Sequence, residues 1–273
     1  MPNPQPEGPT RDPRAVPGWQ SDSTRDVAVT QSQPPLEALR AAAQFDRLLV
    51  PPIVTPGYTV LRTLGQGGMG VVYKARHVAS GELVALKTLQ QMTPAGLYRF
   101  KREFRVVAGI AHPNLVALRE LVSDGTTWFL TMELLDGRPL SRQALGDGPG
   151  GGPVREAFAQ LASGVAALHA AGVLHRDIKP GNVLVTADGR VVLLDFGLAG
   201  EMDFDGLYQS YPGQIAGTVA YMSPEQAAGR PITAAADWYA FGVTLYQELA
   251  GRLPFDGSGA EVLRAKQETD PPP

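Results

Sequence analysis

The sequence predicts an α+β fold, in which short strands come first and long helices follow. Two observations support this class: strand-forming runs crowd the segment from Tyr58 to Leu89, and the longest helical runs come later, at residues 154–172 and 235–250. No internal repeat divides the chain. Strands and helices that are segregated along a sequence are typical of α+β domains.

Residues 1–56 form a predicted tail. They hold 11 of the 24 prolines, and residues 1–33 have few apolar side chains. Such a segment cannot bury enough apolar surface to offset its ordering entropy, so we predict disorder. Residues 35–50 have helical spacing between two Pro pairs, which predicts a short helix. It either packs on the following domain or forms transiently.

The composition leaves residues 57–273, or 217 of the 273 positions, for one large core. The chain has no cysteine, which excludes a disulfide scaffold, a Cys-ligated metal and a thiol nucleophile. A net charge of −3 gives no bulk reason to bind nucleic acid or anionic membrane. No apolar run reaches the ~18 residues of a membrane-spanning segment, and the first residues, MPNPQPEGPTRDPR, lack the apolar core that a signal peptide has. We expect a cytoplasmic protein without a nucleic-acid partner; the alternative is tethering through a further C-terminal region.

Three strands are predicted at the beginning of the core, in the runs YTVLRTL, VVYKARHV and ELVALKTL. The loop GQGGMG separates the first two, and a turn at Ala79-Ser80-Gly81 separates the second from the third. A helix follows over residues 95–110, because its large apolar side chains share one face. Two more strands are predicted near residues 115–122 and 127–133.

The second half of the core is predicted to be mainly helical. The run GDGPGGGP, residues 146–153, is too rich in glycine for regular structure and predicts a loop. Pro153 then opens a helix that Gly172 ends. The short apolar runs VLH, NVLV and VVLLD follow, and residues 235–250 predict a buried helix.

The glycine loop places Gly65, Gly67 and Gly70 as G-x-G-x-x-G, which is a weak signal by itself. A dinucleotide site needs a helix directly after the glycines, but a strand pattern follows here. The pattern therefore favours a glycine loop in a β-hairpin, where backbone N–H groups can approach phosphate oxygens. Lys87, in V-A-L-K, is costly to bury unless it meets an anion; otherwise it is a surface lysine.

Three further motifs stand downstream in a fixed order. HRDIKPGN occupies residues 175–182, Asp195-Phe196-Gly197 follows, and Ser223-Pro224-Glu225 comes last. Together with the glycine loop and V-A-L-K, their order and spacing resemble the protein-kinase signature set. From Tyr58 to its end the chain resembles eukaryotic-like (Hanks-type) serine/threonine protein kinases. The residues within its motifs are most similar to those of the bacterial branch.

The resemblance implies a bilobal protein-kinase fold, with a β-rich N-lobe at residues 57–134 and a helical C-lobe at residues 135–273. Kinase domains usually have about 250–300 residues, so we expect the C-lobe to be incomplete at its C-terminus. The chain is then a truncated product or a minimal kinase completed by another chain. In either case Glu225 is expected to lack the arginine that pairs with it in the family.

The implied reaction moves the γ-phosphate of ATP, with Mg²⁺ or Mn²⁺, to Ser or Thr hydroxyls of proteins. Self-association would let the chain phosphorylate itself. Asp177 would accept or orient the hydroxyl proton, and Lys179 would neutralise the γ-phosphate. Lys87 would hold the α- and β-phosphates, and Glu103 would pair with it.

Asn182 and Asp195 would ligate the metal, because hard oxygen ligands suit Mg²⁺. In the nucleotide pocket, Met132 would be the gatekeeper, and the backbones of Glu133 and Leu135 would bond adenine. The full set implied for ATP comprises Leu64, Gly65, Gln66, Gly67, Gly68, Met69, Gly70, Val72, Ala85, Lys87, Met132, Glu133, Leu135, Asp136 and Leu184. Of these, Asp136 either reaches the ribose or is simply an exposed loop residue.

Regulation is implied by Arg176, which would pair with a phosphate on the following loop. Ser210 is the favoured phosphorylation site, and Thr218 would bridge Asp177 and Lys179 beside the substrate. A buried Asp237 would accept hydrogen bonds from the backbone of the HRD loop.

His175 would stack on Phe196, whereas His77, His112 and His169 are expected to cap or pack. An inactive truncated or pseudokinase-like module that binds a nucleotide or a partner is the alternative function. A small-molecule kinase of the aminoglycoside type is disfavoured by S-P-E and by Lys179.

Overall fold

A computed structural model describes residues 55–67, 70–89, 94–146, 151–195 and 219–272. The predicted tail helix at residues 35–50 lies outside the described residues. So do Gly68 and Met69 of the glycine loop, and Phe196, Ser210 and Thr218.

A five-stranded antiparallel sheet forms the first part of the described chain, with the order β1-β2-β3-β5-β4. Its strands are β1 (Tyr58–Gly67), β2 (Gly70–His77), β3 (Leu83–Thr88), β4 (Leu118–Ser123) and β5 (Trp128–Glu133). The predicted strand runs are confirmed, because β-branched and aromatic residues suit a half-buried pleated surface. β3 lies at the centre and is buried along most of its length.

The helix α1 (Pro94–Ala108) connects β3 and β4, close to the predicted residues 95–110. Its Phe100 and Val107 are buried, while Tyr98 and Val106 on another face are exposed. Leu97 and Phe104 lie between these extremes. Such an apolar stripe is what holds an amphipathic helix against a sheet.

A smaller antiparallel sheet of β6 (Gly137–Pro139), β7 (Val183–Thr186) and β8 (Val191–Leu193) follows, in that order. A 3₁₀ turn at Pro180–Asn182 leads directly into β7. Two of the three short apolar runs thus form strands. The third, residues 173–175, forms none, because its backbone groups serve a different network described below.

The helices of the second part are α2 (Arg142–Leu145), α3 (Gly152–Ala170), α4 (Pro224–Ala227), α5 (Ala234–Ala250) and α6 (Gly259–Glu268). α3 begins one residue before the predicted Pro153, after Gly151 in a left-handed conformation. α5 matches the predicted buried helix and ends at Gly251, also left-handed. Among the described residues, no helix is both long and apolar enough to cross a membrane.

One apolar cluster runs through both parts of the described chain. It includes Ala85 and Met132 from the larger sheet, Leu161 and Leu168 from α3, and Leu193 from β8. A second cluster, around Tyr73, Leu86 and Phe129, fills the other face of the larger sheet. The arrangement is the β-rich N-lobe and helical C-lobe of a bilobal kinase fold, joined by a common core.

Candidate active site

Lys87 lies on β3 and is 7% exposed, which excludes the alternative of a surface lysine. Its Nζ atom lies 2.8 Å from the Asp195 carboxylate. An ammonium group in this position needs such a partner, because burial of an unpaired charge is costly. Asp195 itself has φ 52°, a left-handed conformation that is uncommon for a residue other than glycine.

The second carboxylate of the site belongs to Asp177, and the side chains of Lys179 and Asn182 both contact it. Lys179 Nζ lies 3.0 Å from Asp177 Oδ1 and 2.8 Å from Oδ2. Asn182 Nδ2 donates to Asp177 Oδ2 and to the Asp177 carbonyl, both at 2.8 Å. Because both bonds use the Asn182 amide nitrogen, its Oδ1 atom is left as an acceptor suited to a hard cation.

Leu194 joins the two carboxylates. Its N–H donates to the Asn182 carbonyl at 2.8 Å, and its carbonyl is 2.7 Å from His175 Nε2. His175 Nδ1 accepts the N–H of Asp177 at 3.2 Å. The neutral tautomer with its proton on Nε2 satisfies both contacts. Burial accordingly lowers the pKa of His175 below its ordinary value.

Asp237 anchors the loop from α5. Its carboxylate accepts the N–H groups of His175 at 2.8 Å and of Arg176 at 2.7 Å, as the resemblance implied. These bonds hold Arg176 at φ 67°, outside the conformations that arginine normally adopts. His169 Nε2 contacts the same carboxylate at 2.8 Å. Asp237 is 1% exposed, so each partner offsets part of its desolvation.

The residues expected around adenine come from the larger sheet, from the segment after β5 and from β7. Ala85 and Met132 are both buried and face each other across β3 and β5. Val72 and Leu135 pack against the same cluster. The others are Leu64, which is 39% exposed, Glu133 and Leu184, which are half-buried, and Asp136, which is exposed.

For some residues with a role implied by the resemblance, the structure gives the position but no contact that tests the role. Gly65 and Gln66 lie on exposed β1, and Gly70 begins β2. Glu103 is half-buried on α1, and its ion pair with Lys87 stays a prediction. Glu225 makes no salt bridge to any residue within the described ranges.

Two histidines have the structural roles expected of them. His77 Nδ1 lies 2.8 Å from Ser80 Oγ in the turn after β2. His112 Nδ1 accepts the N–H of Asn114, and its Nε2 contacts Ser163. His169 exceeds the expectation of packing, because it reaches the carboxylate of Asp237.

Sequence reasoning missed Arg190 on the turn before β8. Its Nη2 lies 2.9 Å from Glu133 Oε1, and its Nε donates to the Pro113 carbonyl at 2.6 Å. Arg190 therefore ties the smaller sheet to the segment that joins the two lobes. Gln226 was also missed: its side chain donates to the carbonyl of Arg176, directly before Asp177. Neither residue carries a local signal, because both partners are distant in sequence.

Comparison with known proteins agrees with this geometry. The family model "Protein kinase domain" matches residues 58–270. The serine/threonine-protein kinase Pkn1 of Myxococcus xanthus is 39% identical over 257 residues, which are 91% of this chain and 35% of that protein. PkaA of Streptomyces coelicolor is 40% identical over 234 residues, 78% of this chain and 42% of PkaA.

A third relative, PknA of Mycobacterium tuberculosis, is 36% identical over 227 residues, 79% of this chain and 52% of PknA. The chain thus spans about a third to a half of the length of these curated relatives. Proteins of this family use ATP and a divalent metal ion and act on proteins. The chain belongs to the protein kinase domain family, as a Hanks-type serine/threonine kinase close to the bacterial branch.

Proposed function

We propose that this chain transfers the γ-phosphate of MgATP to Ser and Thr hydroxyls of proteins, itself included. The observation that carries the proposal is the convergence of Lys179 and Asn182 on Asp177, with the buried Lys87–Asp195 pair two hydrogen bonds away. Phosphoryl transfer needs positioning and charge neutralisation more than covalent chemistry, and this arrangement supplies both.

Asp177 is proposed to take the proton of the substrate hydroxyl. The His175 side chain fixes its backbone and Asn182 fixes its carboxylate, so the carboxylate has little freedom to turn. Lys179 is held on the same carboxylate, and we propose that its ammonium group neutralises the γ-phosphate as it moves.

Asn182 and Asp195 are proposed to hold Mg²⁺. Within the described residues, the printed hydrogen bonds of Asn182 use only its amide nitrogen, and Lys87 contacts Asp195 through Oδ2, so the Oδ1 atoms of both side chains are the proposed metal ligands. When bound, Mg²⁺ neutralises charge on the ATP phosphates. Lys87 would then also contact the α- and β-phosphates, while Glu103 directs its ammonium group.

Arg176 is proposed to bind a phosphate on the segment after Gly197, with Ser210 as the favoured acceptor. Its Nε atom is buried and has no hydrogen-bond partner among the described residues. An unsatisfied buried guanidinium donor is costly, so an anion delivered beside it would be stabilised. Mass spectrometry of active protein tests this proposal, and an unmodified loop would contradict it.

The experiment that tests the function is phosphate incorporation from radiolabelled ATP with Mg²⁺ into a generic protein substrate. The control variant is Asp177→Asn, which keeps the hydrogen-bonding shape and removes the base. We expect the variant to lose about 10²–10⁴-fold in rate, the usual contribution of a general base. Equal incorporation by both proteins would contradict the enzyme function and favour the alternative of a binding module. A thermal shift with MgATP would then show whether the chain binds the nucleotide.

A further inference from the structure

Lys266 is the one lysine of α6, and it is 4% exposed although the helix around it is largely polar. Its neighbours Arg264 and Gln267 face solvent. Burial lowers the pKa of Lys266 to about 8, so the ammonium form still prevails at neutral pH. A charge in this position is tolerated only if its donors are satisfied.

The partners of Lys266 are two backbone carbonyls and an aromatic face. Its Nζ donates to the Ala220 carbonyl at 2.7 Å and to the Met222 carbonyl at 2.6 Å. The ring of Tyr239 lies 5.1 Å from the same atom, within the range of a cation–π contact. Lys266 thus joins α6 to the segment that precedes α4 and to α5.

The segment that Lys266 holds continues into contact with the catalytic loop. Ser223 is the N-cap of α4 and forms a capping box, in which its N–H donates to Gln226 Oε1 at 3.0 Å. The other end of that amide, Gln226 Nε2, donates to the Arg176 carbonyl at 3.2 Å. Arg176 precedes Asp177. Hydrogen bonds, together with the peptide links from Met222 to Ser223 and from Arg176 to Asp177, therefore connect α6 to the proposed base.

We propose that Lys266 is a positioning residue, which fixes residues 219–226 as the platform for the protein substrate. The inference rests on the proposed function and deepens it. The held segment follows Thr218, which the family resemblance places beside the substrate. By contrast, the residues assigned to ATP and the metal all lie outside residues 219–226, on the two sheets and the segments next to them. Loss of Lys266 should therefore weaken protein binding and leave ATP binding intact.

The test compares Lys266→Met, which keeps the length of the side chain and removes its donors, with Gln267→Met. Gln267 is the next residue of α6 and is exposed, so it controls for the introduced methionine. We expect KM for a Ser-containing peptide to rise about tenfold in Lys266→Met, because two hydrogen bonds from a charged donor are lost. KM for ATP should stay at the wild-type value, and Gln267→Met should match the wild type in both.

Hydrogen exchange provides a second readout that does not need activity. The amides of Met222, Ser223 and Gln226 are hydrogen-bonded within the held segment. They should exchange faster in Lys266→Met, whereas the amides of β2 and β3 should not change. Unchanged exchange together with an unchanged peptide KM would overturn the proposal. So would an equal rise of both KM values, which indicates a general loss of structure.

Two further variants test the positioning role of Lys266 if Lys266→Met does not fold. Lys266→Arg retains donors for both carbonyls and should keep the peptide KM within the wild-type range, whereas Lys266→Gln should raise it. A wild-type peptide KM in Lys266→Gln would overturn the proposal. Should the wild-type chain itself equal Asp177→Asn, the proposed function fails, and the exchange of residues 219–226 alone then decides the role of Lys266.

Discussion

At the scale of single residues, the catalytic loop is held by buried polar atoms rather than by regular secondary structure. Asp237 and His175 together satisfy three backbone N–H groups between residues 175 and 177. This explains why residues 173–175 form no strand despite their apolar character: the backbone N–H of His175 is directed at a side chain. The strained φ of Arg176 persists because these bonds over-determine it.

The buried imidazole of His175 predicts a loss of stability in acid. Its folded-state pKa lies below the ordinary value of 6.5, so below pH 6.5 the unfolded chain binds more protons than the native chain. Stability from this group is therefore full above pH 6.5 and declines as the pH falls toward the folded pKa. The slope approaches about 1.4 kcal/mol per pH unit for one proton.

Urea unfolding at a series of pH values, for the wild type and His175→Gln, measures this contribution. Glutamine is neutral throughout, with an amide NH₂ group as donor and a carbonyl oxygen as acceptor, so the difference between the two curves should shrink as the pH falls. Taking the difference cancels opposing groups such as Glu248, whose pKa burial raises. Parallel curves below pH 6.5 would contradict the prediction.

At the scale of elements, the glycine loop depends on β3 as well as on its own glycines. Thr88 Oγ1 accepts the N–H of Val71 at 2.9 Å and donates to the Val71 carbonyl at 3.2 Å. Gly70 sits directly before this clamp with φ +123°. A Cβ atom at Gly70 would collide with the Thr88 carbonyl, so the close approach of β2 and β3 here requires glycine.

Gly70→Ala is therefore expected to destabilise the domain, by about 1–3 kcal/mol, since both the backbone conformation and the space oppose a side chain. Gly65→Ala is the matched control, because a Cβ there meets nothing within 4 Å. The free energy of unfolding of the control should stay within about 0.5 kcal/mol of the wild type. Denaturant titration of the three proteins checks the prediction, and equal losses at the two glycines would refute it.

At the scale of the whole molecule, the lobes are joined by a shared apolar cluster and by the Arg190–Glu133 ion pair. The pair joins the turn before β8 to the end of β5, and both side chains are partly buried, at 33% and 22% exposure. Glu133 is also the residue whose backbone is proposed to bond adenine. Arg190 should therefore influence where the nucleotide sits, although it is not proposed to contact it.

Arg190→Met is expected to raise KM for ATP several-fold, equivalent to about 1 kcal/mol for a partly exposed pair, with a smaller change in kcat. The control is Arg119→Met, since Arg119 pairs with Glu82 on the surface of the larger sheet. Steady-state kinetics with varied ATP distinguishes the two variants. A similar KM for ATP in both would show that the interlobe pair does not position the nucleotide.

From the sequence alone, the order of the longer strands and helices could be predicted, because periodicity and glycine or proline boundaries are local signals. The sequence also predicted that Lys87 needs an anion if buried, and the resemblance to protein kinases implied that Asp237 binds the loop backbone. The sequence did not predict α6, because five of its ten residues are polar and only Val262 and Leu263 are large and apolar. The roles of Gly68, Met69, Ser210 and Thr218 stay predictions, since these residues lie outside the described ranges.

Which charges meet could be seen only in the folded chain. Lys87 pairs with Asp195, Arg190 with Glu133, and Lys266 with the Ala220 and Met222 carbonyls. Each of these contacts joins residues more than 40 positions apart. Local propensity carries no information at that separation, because the contacts exist only once the apolar clusters have brought the elements together. The motifs thus predicted which residues carry the chemistry. The packing of the core brought together the residues that hold those side chains in place.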